Sequence, residues 1–125
     1  MDPTGGVRQA GHAEALARLP QPRTDKWPLG IWDIDAIAHG TMSVSVFAPK
    51  TTDFQTPHVQ DELYIVMSGT GLFVANNIQY GCAPGDVLFV PACIEHRFVE
   101  FTPDFATWVV FYGPQGGEKA SDLDT

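Results

Sequence analysis

The chain has 125 residues, of which 44% are hydrophobic and 18% charged, with 7 Lys+Arg against 15 Asp+Glu. That length suits a single domain, and the apolar content is too high for a disordered chain. A formal net charge of -8 leaves no basic face to meet phosphates, which excludes nucleic acid and disfavours an anionic membrane surface.

Residues 1–26 hold four of the seven cations and one short amphipathic pattern, 12–19, stopped by Pro20 and Pro22. No apolar stretch near the start has the length of a secretion signal or a bilayer span. Cys82 and Cys93 then read as free thiols in a reducing compartment, and a cytoplasmic location is expected. Residues 27–112 form a strand-rich body, and residues 113–125 read as a flexible acidic tail without an apolar face.

Within the body, short runs of Val, Ile, Phe, Tyr and Trp alternate with breakers. The runs predict strands at 31–39, 41–48, 62–67, 71–75, 78–80, 87–90, 96–101 and 106–112. Asn76-Asn77 tolerates positive φ and suits a tight hairpin. Residues 41–48 alternate polar and apolar as a half-buried strand would. Residues 87–90, Val-Leu-Phe-Val, are continuously apolar, which predicts a strand covered on both faces. Short strands at this spacing, with 12 Gly and 10 Pro, predict an all-β fold: an antiparallel barrel or jelly roll with a short N-terminal helical segment.

The chemistry concentrates in 56–69. If that segment is a regular strand, Thr56, His58, Gln60, Glu62 and Tyr64 share one face, while Asp61 falls on the other and is expected in solvent. A histidine and a glutamate facing a dry interior need a partner, and a divalent ion is one that suits both. His96 opens a later strand whose inward face is predicted to be His96, Phe98 and Glu100. His39 ends an earlier strand, where it could supply a further imidazole, and Gln60 could offer its carbonyl oxygen.

These motifs resemble the cupin superfamily over roughly residues 42 to 112. His58-x3-Glu62-x6-Gly69 matches the latter part of the family's first motif, G-x5-H-x-H-x3,4-E-x6-G. Gly85-x5-Pro91-x-Cys93-x2-His96 matches the second, G-x5-P-x-G-x2-H-x3-N, with Cys93 in place of glycine and Glu100 in place of asparagine. Thr56 stands where the family's first histidine would be. The resemblance implies a double-stranded β-helix with a metal held by His58, Glu62 and His96, one ligand short of the usual set. It also implies a small-molecule ligand or substrate and a homodimer.

Two histidines and one carboxylate are the facial set of many non-haem iron enzymes. Iron, manganese, nickel or zinc all suit such donors. The expected activity is an iron- or manganese-dependent oxygenase or a related lyase or isomerase, with Glu100 or Tyr64 assisting proton transfer. The alternatives are a barrel that binds or senses a sugar or aromatic acid without turnover, and a structural barrel with an emptied site. By segment the net charge is +1 over 1–26, -7 over 27–112 and -2 over 113–125, so the acidity lies on the barrel. A cation inside it would offset part of that charge and favour a neutral or weakly charged ligand.

Overall fold

The computed structural model describes residues 3–119. The chain runs through α1 (His12–Ala17), β1 (Asp33–His39), β2 (Met42–Phe47), β3 (Asp61–Ser68), β4 (Gly71–Ala75), β5 (Ile78–Cys82), β6 (Val87–Val90), β7 (His96–Phe101) and β8 (Ala106–Tyr112). All strand pairs are antiparallel. A five-stranded sheet, β1-β2-β8-β3-β6, faces a three-stranded sheet, β5-β4-β7. The all-β, jelly-roll expectation therefore holds, with every predicted strand present.

The hairpins follow from their turn residues. Asn76 and Asn77 both take positive φ, 52° and 65°, so the two-residue β4–β5 turn matches the strand twist. Gly69, between β3 and β4, has φ 69°, and a Cβ there would lie 2.4 Å from Thr102 Oγ1 and 2.7 Å from the Phe105 backbone. Only glycine fits.

The core lies between the sheets. Phe47, Tyr64, Val66, Phe73, Val90, Phe98, Phe105 and Val109 form its buried cluster. A second cluster lies on the outer face of the larger sheet, where Ala15 of α1 packs with Ile34 and Val46. The half-buried reading of β2 is corrected by this helix: Ser45, Val46 and Phe47 are all buried, because α1 covers the face that would otherwise meet water. The N-terminal segment thus packs on the barrel, and Gln21 forms a β-bridge with Ile31.

Two further expectations change. β6 pairs only with β3, and as an edge strand it leaves Val87 59% and Phe89 55% exposed rather than covered on both faces. The tail is anchored as far as it is described: Gly116 N–H donates to the Val59 carbonyl, and Glu118 N–H to Asp61 Oδ2. Residues 120–125 of the predicted tail, and 1–2 at the start, lie outside the described residues. No helix among the described residues is long and apolar enough to cross a membrane.

Candidate metal centre

β3 and β7 bring Glu62 and His96 together deep between the sheets. Inward-facing Glu62, Tyr64 and Val66 alternate along β3 with the partly buried Leu63, Ile65 and Met67, as the pleat requires. His96 opens β7 with its inward partner Phe98. Glu62 and His96 are only 2% and 3% exposed. Their facing atoms, Glu62 Oε1 and His96 Nε2, are 2.9 Å apart.

The His96 Nδ1–H donates to the Ile94 carbonyl at 2.7 Å, which leaves Nε2 of the neutral ring as a lone pair aimed at the carboxylate. Neither Nε2 nor Oε1 has a hydrogen-bond partner of acceptable geometry, although both are buried. Two orphaned acceptors face one another, an arrangement that needs a proton or a cation between them. Burial is the largest influence on His96 and lowers its pKa, but the Glu62 carboxylate and the Ile94 carbonyl outweigh it and leave the pKa raised.

His58 approaches from the segment before β3. Its Nε2 is 3.9 Å from Glu62 Oε2, and its side chain is 33% exposed. Its ring stands edge-on to Phe111 at 4.7 Å. Burial depresses its pKa most; Glu62 pulls it up, while His96 and Lys26 push it down. One donor atom from each of His58, Glu62 and His96 lies within 4.8 Å of the others. The predicted triad is assembled, and its orphaned atoms and imidazole–carboxylate donors fit a divalent transition metal.

The other predicted site residues fare differently. Tyr64 is at the site, 1% exposed, with its hydroxyl donating to Gln55 Oε1 at 2.9 Å. Burial, with Glu62 and Asp53 nearby, holds that phenol well above its ordinary value, so it acts as a hydrogen-bond donor. Gln60 does not share the face. Residues 56–60 are not a regular strand, and the Gln60 amide donates instead to the Thr41 and Gly113 carbonyls. His39 is exposed at the end of β1 and joins no ligand cluster among the described residues.

Glu100 is also exposed. Leu72 pairs with Glu100 and Phe73 with Phe98, so Val99 is an extra residue in the ladder; this β-bulge breaks the alternation and turns Glu100 outward. Asp61 is buried rather than solvated, accepting from Ala92 N–H and Glu118 N–H.

Sequence reasoning missed Asp53 and Gln55, both buried. Asp53 accepts from Gln55 N–H, from the Gln55 side-chain amide at 2.5 Å and from Phe98 N–H. Burial raises its pKa, against the lowering effect of these bonds. The signal was an Asp two residues before a Gln, the pattern of an Asx turn.

The Cupin domain family matches residues 43–112, more than half of the chain. This chain is a cupin. A curated relative, Uncharacterized protein SCO3923 of Streptomyces coelicolor, is 40% identical over 76 residues, covering 59% of this chain and 72% of that protein. Among solved structures, a Cupin 2 conserved barrel domain protein of Salinispora arenicola CNS-205 superposes with TM-score 0.55 at 22% identity, over 65% of this chain and 74% of its own. A protein of Ralstonia eutropha JMP134, provisionally assigned as a mannose-6-phosphate isomerase, gives TM-score 0.57 at 20% identity, over 86% of this chain and all of its own. At such identities the structural likenesses establish the fold.

The two departures of this cupin from the family motifs have visible consequences. Cys93, in the glycine position, takes a left-handed φ of 68°, while its N–H donates to the His58 carbonyl at 2.6 Å. Thr56, in the position of the first histidine, is exposed, and its hydroxyl accepts from Lys26 Nζ at 3.1 Å.

Above the triad lies a cavity of about 190 Å³, walled by Trp27, Phe47 and Phe111 with Lys26, Asp33 and Ser45 among them. Burial and the neighbouring Asp35 carboxylate raise the pKa of Asp33.

Proposed function

We propose that this cupin holds one divalent transition-metal ion through His58, Glu62 and His96, and acts on a small molecule bound in the cavity above them. The activity proposed is that of an iron- or manganese-dependent oxygenase, or of a related lyase or isomerase. One observation carries the metal reading: the lone pairs of His96 Nε2 and Glu62 Oε1 meet at 2.9 Å with no hydrogen bond between them. A proton relieves that contact up to the raised pKa of His96, and a divalent ion would relieve it above that pKa as well. Such an ion, held by His58, Glu62 and His96, would supply a Lewis acid or a dioxygen-binding centre.

The remaining roles belong to this chain. The walls Trp27, Phe47 and Phe111 exclude water and accept an apolar or aromatic portion of the ligand. The Tyr64 phenol stays protonated and orients Gln55. Beside Glu62, it is Asp33 and not Glu100 that lines the cavity with a carboxyl, and its raised pKa suits it to hold and return a proton. Lys26 sits at the rim on Thr56, placing one positive charge where a weakly anionic ligand would enter. A homodimer belongs to the same proposal: the free edges β5 and β6 expose Ile78, Tyr80, Val87 and Phe89, which a second copy would cover. Sedimentation velocity at two concentrations tests it.

Metal analysis of protein purified without chelator or affinity metal tests the central claim. Near-stoichiometric metal, absent from a His58→Ala/His96→Ala variant, is expected. Protein that carries no metal at any stage and takes up none on titration would overturn it. Oxygen consumption with iron(II) and a panel of small substrates then separates turnover from saturable binding without product.

A further inference from the structure

The family's first histidine is replaced by Thr56, whose hydroxyl bonds Lys26 at the cavity rim, while the neighbouring position brings a donor atom to His58. Gln55 Oε1 lies 3.2 Å from His58 Nε2 and 2.9 Å from the Tyr64 hydroxyl, on a residue only 7% exposed. We propose that Gln55 supplies the fourth protein ligand of the metal centre through its amide oxygen, held in position by Asp53 and Tyr64. The inference rests on the metal reading of the triad.

The amide orientation follows from its surroundings. Gln55 Nε2 donates to Asp53 Oδ2 at 2.5 Å; the flipped amide would set its oxygen against that carboxylate oxygen. Asp53 is itself fixed by the N–H groups of Gln55 and Phe98, the latter on β7 two residues after His96. The carbonyl oxygen is therefore aimed at His58 by a buried network anchored to the strand that carries another ligand. Outer partners of this kind orient a ligand before the ion arrives.

The metal-free hydrogen bonding also prepares the exchange. Because Gln55 Oε1 is an acceptor, the contact with His58 requires the His58 proton on Nε2. For His58 to ligate through Nε2, that proton must leave or move to Nδ1. The lone pair of Gln55 that accepted it is then released on the side of the triad, while Tyr64 keeps the other. Two nitrogens, a carboxylate and a neutral amide oxygen make a mixed donor set suited to manganese, iron, cobalt or zinc rather than to soft copper(I).

Cobalt(II) titration of the metal-stripped full chain, read by its visible ligand-field bands and by chelator competition, is the experiment. Gln55→Met keeps the side-chain volume without the oxygen donor. It is expected to weaken cobalt binding roughly ten- to hundredfold and to change the band pattern. A second reading leaves the sequence untouched: zinc should shift the 13C resonance of the Gln55 side-chain carbonyl in the wild-type protein, whatever the fate of the variant. Cobalt bound with the same affinity and bands in Gln55→Met, or a Gln55 carbonyl unmoved by bound zinc, overturns the role of Gln55 and leaves the triad standing. Wild-type protein that binds neither ion overturns both the triad and Gln55.

Discussion

The site has two halves that differ in how they are held. Glu62 and His96 stand on β3 and β7, both nearly inaccessible, fixed by strand pairing on the rigid core. Gln55 and His58 come from the irregular approach to β3, where His58 is one-third exposed and is secured by side-chain contacts with Gln55 and Phe111. The strand half is bound up with the stability of the barrel. On the loop side Gln55 is tied to β7 through Asp53, and His58 is the member that can adjust without disturbing the barrel, which suits the side of a site that must admit a ligand.

The sharpest way to break that comparison is to remove one member of each half. Glu62→Leu in the metal-free protein leaves His96 without its partner in the core, and at pH 6 should cost about 3–5 kcal/mol of stability. His58→Leu removes a partly exposed ring and should cost about 1 kcal/mol or less. Both should abolish or severely weaken metal uptake. Denaturant unfolding beside a metal titration checks both; equal stability losses would show that the loop is as tightly built as the strands.

The second way is pH. In the metal-free protein the pKa of His96 is raised above 6.5 and that of His58 is lowered below it. The His96 contribution to stability is therefore complete below pH 6.5 and is lost as the pH rises through its raised value. The His58 contribution is complete above pH 6.5 and is lost as the pH falls through its lowered value. Together they predict a crest in stability near pH 6.5 in the presence of a chelator. His96→Gln should remove the decline on the alkaline side, and His58→Gln the decline on the acid side. Unfolding free energies from pH 5 to 8 for the three proteins check this, and a decline that survives in its own variant sinks the assignment.

The division between the halves also explains what could be read from the sequence. Glu62, Tyr64 and His96 were legible because alternation along a strand is dictated by the pleat, and the motif spacings locate both strands. Glu100 was misplaced because the bulge at Val99 leaves no mark in the residue pattern. Gln60 was misplaced because 56–60 has no strand geometry for parity to follow. Gln55 was passed over because its role depends on a hydrogen bond to Asp53 and on a fold that returns β7 to the same place. Nor could the exposed edge of β6 be foreseen, since a continuous apolar run has the same composition at the edge of a sheet as at its centre.

A smaller effect sharpens the contrast through charge. Lys26 lowers the pKa of His58 but is not among the influences on His96. Lys26→Ala should raise the His58 pKa and leave His96 unmoved, as followed by ring-proton NMR titration. Because Lys26 is exposed, molar salt on the wild-type protein should reproduce part of that rise by screening. A matching shift at His96 would mean that the strand half also feels solvent charge.

The smallest expected effect comes from restoring the family residue itself. Thr56→His places an imidazole at the motif position of the first histidine, yet this side chain is exposed and directed towards Lys26. For the new ring to reach the triad, residues 55–57 would have to rotate and release Gln55 from Asp53, losing a buried hydrogen bond to a charged acceptor. Cobalt affinity and ligand-field bands should therefore match those of the wild type within about twofold, a change of roughly 0.4 kcal/mol. A gain of tenfold or more with a new nitrogen donor would show the loop swinging in and Gln55 displaced, and the hold of Asp53 on that loop would then be weaker than its three hydrogen bonds imply.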